Sequence, residues 1–153
     1  MKRTHKGLAK LALLTSAGLL LGACKHASLD PRPLDLERED ALTASGVHVR
    51  ELYLGQGLRA RAGDVLVIDY TAWLLDGTRV DSSLDRGVPL EFELGAAPIA
   101  GWNEGLQGVM PQGRRRLEIP ARLAYGDEGF GDLVPPGADL RFEVHVLEVR
   151  PKQ

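Results

Sequence analysis

Covalent and metal chemistry have little to build on in this 153-residue sequence. The one thiol is Cys24, which excludes an internal disulfide and any cysteine-based zinc cluster. His26, His48 and His145 sit among no residues at metal-ligand or catalytic spacing, and His5 belongs to the extreme N-terminus. The glycine-rich stretches carry no following Lys-Ser/Thr, so there is no phosphate-cradling loop. Arg114-Arg115-Arg116 reads as a solvated strand face rather than a phosphate site. What remains are eight aromatic side chains and scattered carboxylates. Such residues shape an apolar site with a few polar tips. On a small sheet, rings alone are more often core.

The elements that would position them follow from composition and pattern. The length suits one domain and is short for two. With 44% hydrophobic and 26% charged residues the chain is close to the globular average. Eighteen glycines, nine prolines and only eight aromatics favour short strands and many turns over a helical bundle. The first 23 residues hold Lys2, Arg3, Lys6 and Lys10 and no acid. The remainder therefore has 15 bases against 21 acids, net −6, a poor balance for binding nucleic acid.

A strand of ambiguous facing is predicted from Val47 to Leu54, and a long β-branched and aromatic one over Val65–Leu75. Asp76-Gly77 is a tight-turn dipeptide, with a short return at Arg79–Asp81. Leu90–Leu94 and Arg116–Pro120 alternate with period two. So does the last strand, where Leu140, Phe142, Val144 and Val146 oppose Arg141, Glu143 and His145. One helix is predicted, Pro98–Gln107, with Pro near its start and Gly108 after it. The fold class is α+β: a curved antiparallel sheet, a half-barrel, around one short helix.

The N-terminus is an address. A basic stretch, an uncharged run of about 14 residues and small residues before Cys24 are too short to span a membrane, which takes roughly 20. Leu21-Gly22-Ala23-Cys24 resembles the lipobox of bacterial lipoproteins, which implies cleavage before Cys24 and lipid attached to it. A plain secretory signal and a buried core cysteine are the alternatives. Lys25 rather than Asp after the cysteine implies, by the lipoprotein sorting rule, the outer membrane of a two-membrane cell, facing the periplasm or the surface. Residues 25–45 are charged and broken by Asp30-Pro31-Arg32-Pro33, with at most a helical turn around Leu36–Leu42. The domains expected are a signal over 1–23, a lipid-anchored flexible tether over 24–45 and a folded domain over 46–153.

Read in order, the folded part resembles the FKBP-type peptidyl-prolyl cis-trans isomerases, the macrolide-binding immunophilins. The matching pieces are Asp69-Tyr70-Thr71, Asp76-Gly77, Val80-Asp81-Ser82-Ser83, Pro89–Gly95, Ile99–Leu106, Met110–Gly113, Ile119-Pro120, Ala124-Tyr125-Gly126, Val134-Pro135-Pro136 and Leu140-Arg141-Phe142. The resemblance implies rotation about Xaa-Pro bonds of extracytoplasmic polypeptides, no cofactor or metal, macrolides as inhibitors, and a compact monomer. Rotation is slow because it breaks amide resonance, a barrier of about 18–20 kcal/mol. A site complementary to the twisted amide lowers it without a nucleophile.

By the same resemblance Trp102 is the floor and Tyr70 and Phe142 are walls. Ile99 donates its backbone N–H, Tyr125 its hydroxyl, and Asp81 places a carboxylate near the reacting amide. Asp81 before Ser82-Ser83 also suits a turn cap. The loop Gly126–Val134 overhangs the site with Phe130 at its tip. Two wall positions commonly Phe in the family are Val80 and Leu90, and Phe130 stands where relatives often have His. These departures imply a wider, less aromatic pocket and modest catalysis. A non-catalytic module that captures proline-containing segments at the cell envelope is the alternative function.

Overall fold

The computed structural model describes residues 40–152. The segments expected to be a signal and most of a tether, with Cys24, lie outside the described residues. The sheet is built on β3, Val65–Leu74, in which every second side chain turns inward: Leu66, Ile68, Tyr70 and Ala72 are buried. β-branched and aromatic residues at that period suit a pleated surface with one dry face. β7, Leu140–Arg150, runs antiparallel beside it with Tyr70 opposite Val144 and Ala72 opposite Phe142.

Next to β7 comes β6, Arg114–Ile119, then β2, His48–Tyr53, then the two-residue β1, Ala41–Leu42. The other edge of β3 is shared. β5, Leu90–Glu93, pairs with Val65–Ile68, while β4, Arg79–Ser82, pairs with Thr71–Trp73. Between them, at Tyr70, two serine hydroxyls take the place of a ladder: Tyr70 N–H donates to Ser83 Oγ at 3.0 Å, and Ser82 Oγ donates to the Tyr70 carbonyl at 3.2 Å. The four-residue α1, Ser83–Arg86, begins there, capped by Ser82 and ended by Gly87 in the left-handed conformation.

The helix across the concave face is α2, Ala100–Gly105. It lies close to β6 because two glycines face that strand. A Cβ on Gly101 would come within 2.5 Å of Ile119 Cγ2, and one on Gly105 within 2.8 Å of Leu117 Cδ1. Their neighbour Trp102 is thereby sunk into the core at 1% exposure.

Several expectations need correction. The helix is shorter than Pro98–Gln107 because Ile99 is extended and serves as its N-cap. The folded domain includes residues placed in the tether: Ala41 and Leu42 pair with Val49 and His48 as a strand instead of a helical turn. Asp40 adds a two-pronged bond to Arg50, at 2.6 and 2.7 Å. An exposed edge of β2 offers partners that a lone turn lacks. Arg115 is not on a solvated face. It is buried, with Nε donating to Glu51 at 3.0 Å and Nη1 to the carbonyls of Gly105 and Gln107 at 2.9 and 2.7 Å. Those carbonyls are the unpaired ones at the end of α2, where a cation is favoured. The inward Glu51 also explains the ambiguous pattern of β2. Neither α1 nor the 3-10 turn Ala121–Leu123 was anticipated.

Replacing Gly101 with Ala tests the close approach. Helix propensity favours Ala by roughly 0.5–1 kcal/mol, but overpacking against the stiff, β-branched Ile119 costs about 1–3 kcal/mol. The expected result is net destabilisation of about 1–2 kcal/mol in urea unfolding, and a gain in stability would contradict the packing described.

Candidate active site

A cavity of about 250 Å³ opens between the concave face, α2 and the loop 126–134. Its floor is Trp102, held by perpendicular contacts with Tyr70 (ring centroids 5.3 Å, 64°) and Phe142 (5.2 Å, 81°). Phe92 supports the indole from behind at 5.6 Å and does not reach the opening. Trp102 Nε1 is buried without a nitrogen or oxygen partner among the described residues, and the Phe142 ring stands edge-to-face beside the indole. Edge-to-face rings lock one another's rotamers, so the floor is rigid.

The sequence-predicted residues Tyr70, Val80, Asp81, Leu90, Ile99, Trp102, Tyr125, Phe130 and Phe142 all line this one cavity. Sequence reasoning missed Ala72, Pro98, Leu133, Val134 and Leu140, which complete its apolar wall. It also missed Arg86. The signal was there in Ser82-Ser83-Leu84-Asp85-Arg86-Gly87, a serine cap and a terminal glycine one helical turn apart.

The polar rim is a network of three side chains. Tyr70 donates its hydroxyl to Asp81 Oδ2 at 2.5 Å. Arg86 donates to Asp81 Oδ1 and, at 2.8 Å, to the Tyr70 hydroxyl, with its guanidinium 5.7 Å from the Tyr70 ring centroid. Ser82 N–H donates to Asp81 Oδ1 at 2.8 Å, so Ser82 caps α1 while Asp81 caps Ser82. Burial raises the Asp81 pKa, but the Tyr70 hydroxyl, Arg86 and the Ser82 N–H together outweigh it and hold the carboxyl below the ordinary aspartate value. Asp81 is an anion at neutral pH, held by three donors.

Two donors remain. Tyr125 has its hydroxyl at the opening with no hydrogen-bond partner among the described residues, and its ring is stacked on Phe130 at 4.9 Å. Burial, and then the Asp81 charge, raise its pKa, so it stays an O–H donor. Ile99 is buried at the start of α2, where its N–H finds no acceptor among the described residues. An apolar floor with these two donors can hold a ring and grip carbonyls on either side. No serine, cysteine, lysine or histidine among the described residues lines it.

A second cavity, of about 300 Å³, lies on the convex face over Asp69, Thr71, Arg114, Glu143 and His145. These are outward residues of β3, β6 and β7, with Asp69, His145 and Arg114 in one cross-strand row. It is larger but has no ring floor, and charged and polar groups dominate its lining. No group of three His, Cys, Asp or Glu that could hold a metal ion occurs among the described residues.

Residues 57–147 match the family model of the FKBP-type peptidyl-prolyl cis-trans isomerases. An FK506-binding protein of Neisseria meningitidis serogroup B is 44% identical over 105 residues, covering 68% of this chain and 96% of that protein. The crystal structure of FkpA from Escherichia coli is similar with a TM-score of 0.68 at 35% identity, over 74% of this chain and 52% of that one. The crystal structure of AtFKBP13 is similar with a TM-score of 0.66 at 32% identity, over 72% and 98%.

Removing the guanidinium tests the electrostatics of the rim. In Arg86→Ala the Asp81 carboxyl is expected to titrate at a higher pH than in the wild type, because one of its charged partners is gone. Carboxyl ¹³C chemical shifts against pH measure this. An unchanged midpoint would mean that Arg86 does not hold the anion.

Proposed function

The chain belongs to the FKBP-type peptidyl-prolyl cis-trans isomerase family, and on that premise we propose that it is a lipid-anchored isomerase of the cell envelope that accelerates Xaa-Pro rotation in polypeptides folding outside the cytoplasm. The observation that carries the site reading is the pairing of a rigid ring floor with two partnerless donors, Tyr125 Oη and Ile99 N–H. In this reading the proline ring lies on Trp102 between Tyr70 and Phe142, and the two donors hold carbonyls flanking the imide. Val80 and Leu90 close the side of the cleft. The donors fix the two ends of the segment while the bond between them turns, so the cleft binds the half-rotated imide better than either planar form. Transfer from water into an apolar cleft acts in the same direction, since the planar amide is the more polar state.

Asp81 enters through its charge. It is held as an anion by Tyr70, Arg86 and Ser82, so its part is to hold the rim in place and set the field at the amide, not to move a proton. Macrolides would compete for the same cleft. The extracytoplasmic setting is supported by the residues preceding the domain: a basic stretch, a short apolar run and Leu21-Gly22-Ala23-Cys24. More than one acyl chain at Cys24 would anchor the protein stably, at about 0.8 kcal/mol per buried methylene. No helix among the described residues is long and apolar enough to cross a membrane.

Exchange spectroscopy on short Xaa-Pro peptides, with and without the protein, tests the catalytic part. Tyr125→Phe is expected to lower kcat/KM about fivefold, the worth of one neutral hydrogen bond, and Asp81→Ala about tenfold. Peptide binding with an unchanged exchange rate would instead identify the capture module. The anchoring part is tested by Cys24→Ser: the variant is expected to lose incorporation of labelled fatty acid and to leave the membrane fraction. Retention of both label and membrane association in the variant would overturn it.

A further inference from the structure

From Asp40 onward almost every acid in this domain is spoken for. Asp40, Glu51, Asp81, Asp85, Glu91, Glu93, Glu118, Glu143 and Glu148 each meet an arginine or lysine. Asp64, Asp69, Asp76, Glu104 and Asp139 accept from a backbone N–H or a serine hydroxyl. Three acids have no hydrogen-bond or ion-pair partner among the described residues: Asp127, Glu128 and Asp132. All three are exposed, and all three are on the loop that overhangs the cleft.

That loop, residues 126–134, contains no lysine or arginine. Of the neighbouring bases, Arg86 is paired with Asp81 and Tyr70, while Arg122 bonds the neutral Ser45 carbonyl and keeps its charge. The charges alternate with the residues that line the cleft: Asp132 is next to Leu133, and Glu128 is two positions from Phe130. Phe130 and Leu133 are themselves 54% and 53% exposed, an apolar lip with anions set into it. The loop is held as a unit by the Phe130–Val134 bridge and the stacking on Tyr125. Three anions against the Arg122 cation leave a net negative charge on the loop over an apolar cleft, which attracts cations and repels anions.

We propose that this loop selects substrates in which the proline is flanked by lysine or arginine, whose long stems lie on Phe130 and Leu133 while their charges face Asp127, Glu128 and Asp132. The inference rests on the cleft taking a proline-containing segment, and it adds the class of segment. Amphipathic stems over apolar surface with the head in water are the ordinary behaviour of these two side chains. An acid-flanked segment would be disfavoured by the same charges.

The test uses the full-length protein and three peptides with one Xaa-Pro core, flanked on both sides by lysines, glutamines or glutamates. Kd comes from chemical-shift titration, and the rate of isomerisation is read by exchange spectroscopy in the same samples. At about 10 mM salt the lysine peptide is expected to bind roughly five- to tenfold more tightly than the glutamate peptide. At about 150 mM the ratio should fall to about twofold. In the combined variant Asp127→Asn, Glu128→Gln, Asp132→Asn the ratio should approach one. Equal Kd values at low salt, or a ratio that survives the substitutions, would overturn the selection. A lysine preference in Kd without any acceleration of exchange would leave the selection standing and overturn catalysis instead. Acceleration with no charge preference would do the reverse.

Discussion

The closeness of α2 to β6 is the constraint on which the cleft depends. A sheet that curls around a six-residue helix leaves little room, and two glycines one turn apart let the backbone of that helix settle against Ile119 and Leu117. Trp102 is thereby held at a fixed depth beneath Tyr70 and Phe142, which come from the two central strands. The three rings meet nearly edge to face, an arrangement that resists sliding. A shallower helix would lift the indole into the opening, and a deeper one is blocked by the strand. The floor of the site is thus a by-product of how the core closes.

The same economy governs the charges. Arg115 ends α2 by satisfying its last carbonyls and is neutralised by Glu51 from β2, tying three elements at one buried point. Breaking such a pair leaves a buried charge alone, which is why single changes there are costly. On the other side of the molecule Arg86 does a related thing for Asp81, but at the surface and next to the cleft. One ion pair holds the helix that carries the floor, the other holds the rim. Against this background of paired acids the three anions of the 126–134 loop, without partners among the described residues, are conspicuous.

Much of the architecture was legible in local pattern. The alternation in Val65–Leu74 and Leu140–Val146, the Asp76-Gly77 turn and the one-sided strand at 90–94 each state a period and a break, and a strand needs little else to be recognised. The ordered pieces from Asp69 to Phe142 also brought the right rings to one place. Arg115 defeated this kind of reading, since three consecutive arginines look like one solvated face. In a strand the middle one points the other way, and only the helix end beneath it gives it a reason to be buried. Arg86 was missed because a one-turn helix has too few residues to show a period. Ala41-Leu42 were assigned to the tether because a two-residue edge strand has no signal of its own apart from the strand it joins.

By itself, then, the order of residues determined the class of fold, through periods that run along the chain, and the family, through motifs in order; the rings and donors expected at the site followed from the family resemblance. The tertiary structure alone decided which donors are left without partners among the described residues, how deep Trp102 lies, where the middle arginine points and which acids find a partner. Those are properties of neighbours distant in sequence: Tyr70 meets Arg86 across sixteen positions and Arg115 meets Glu51 across sixty-four. Whether a polar group is satisfied depends on what packs against it, and that is known only once the sheet has closed around the helix.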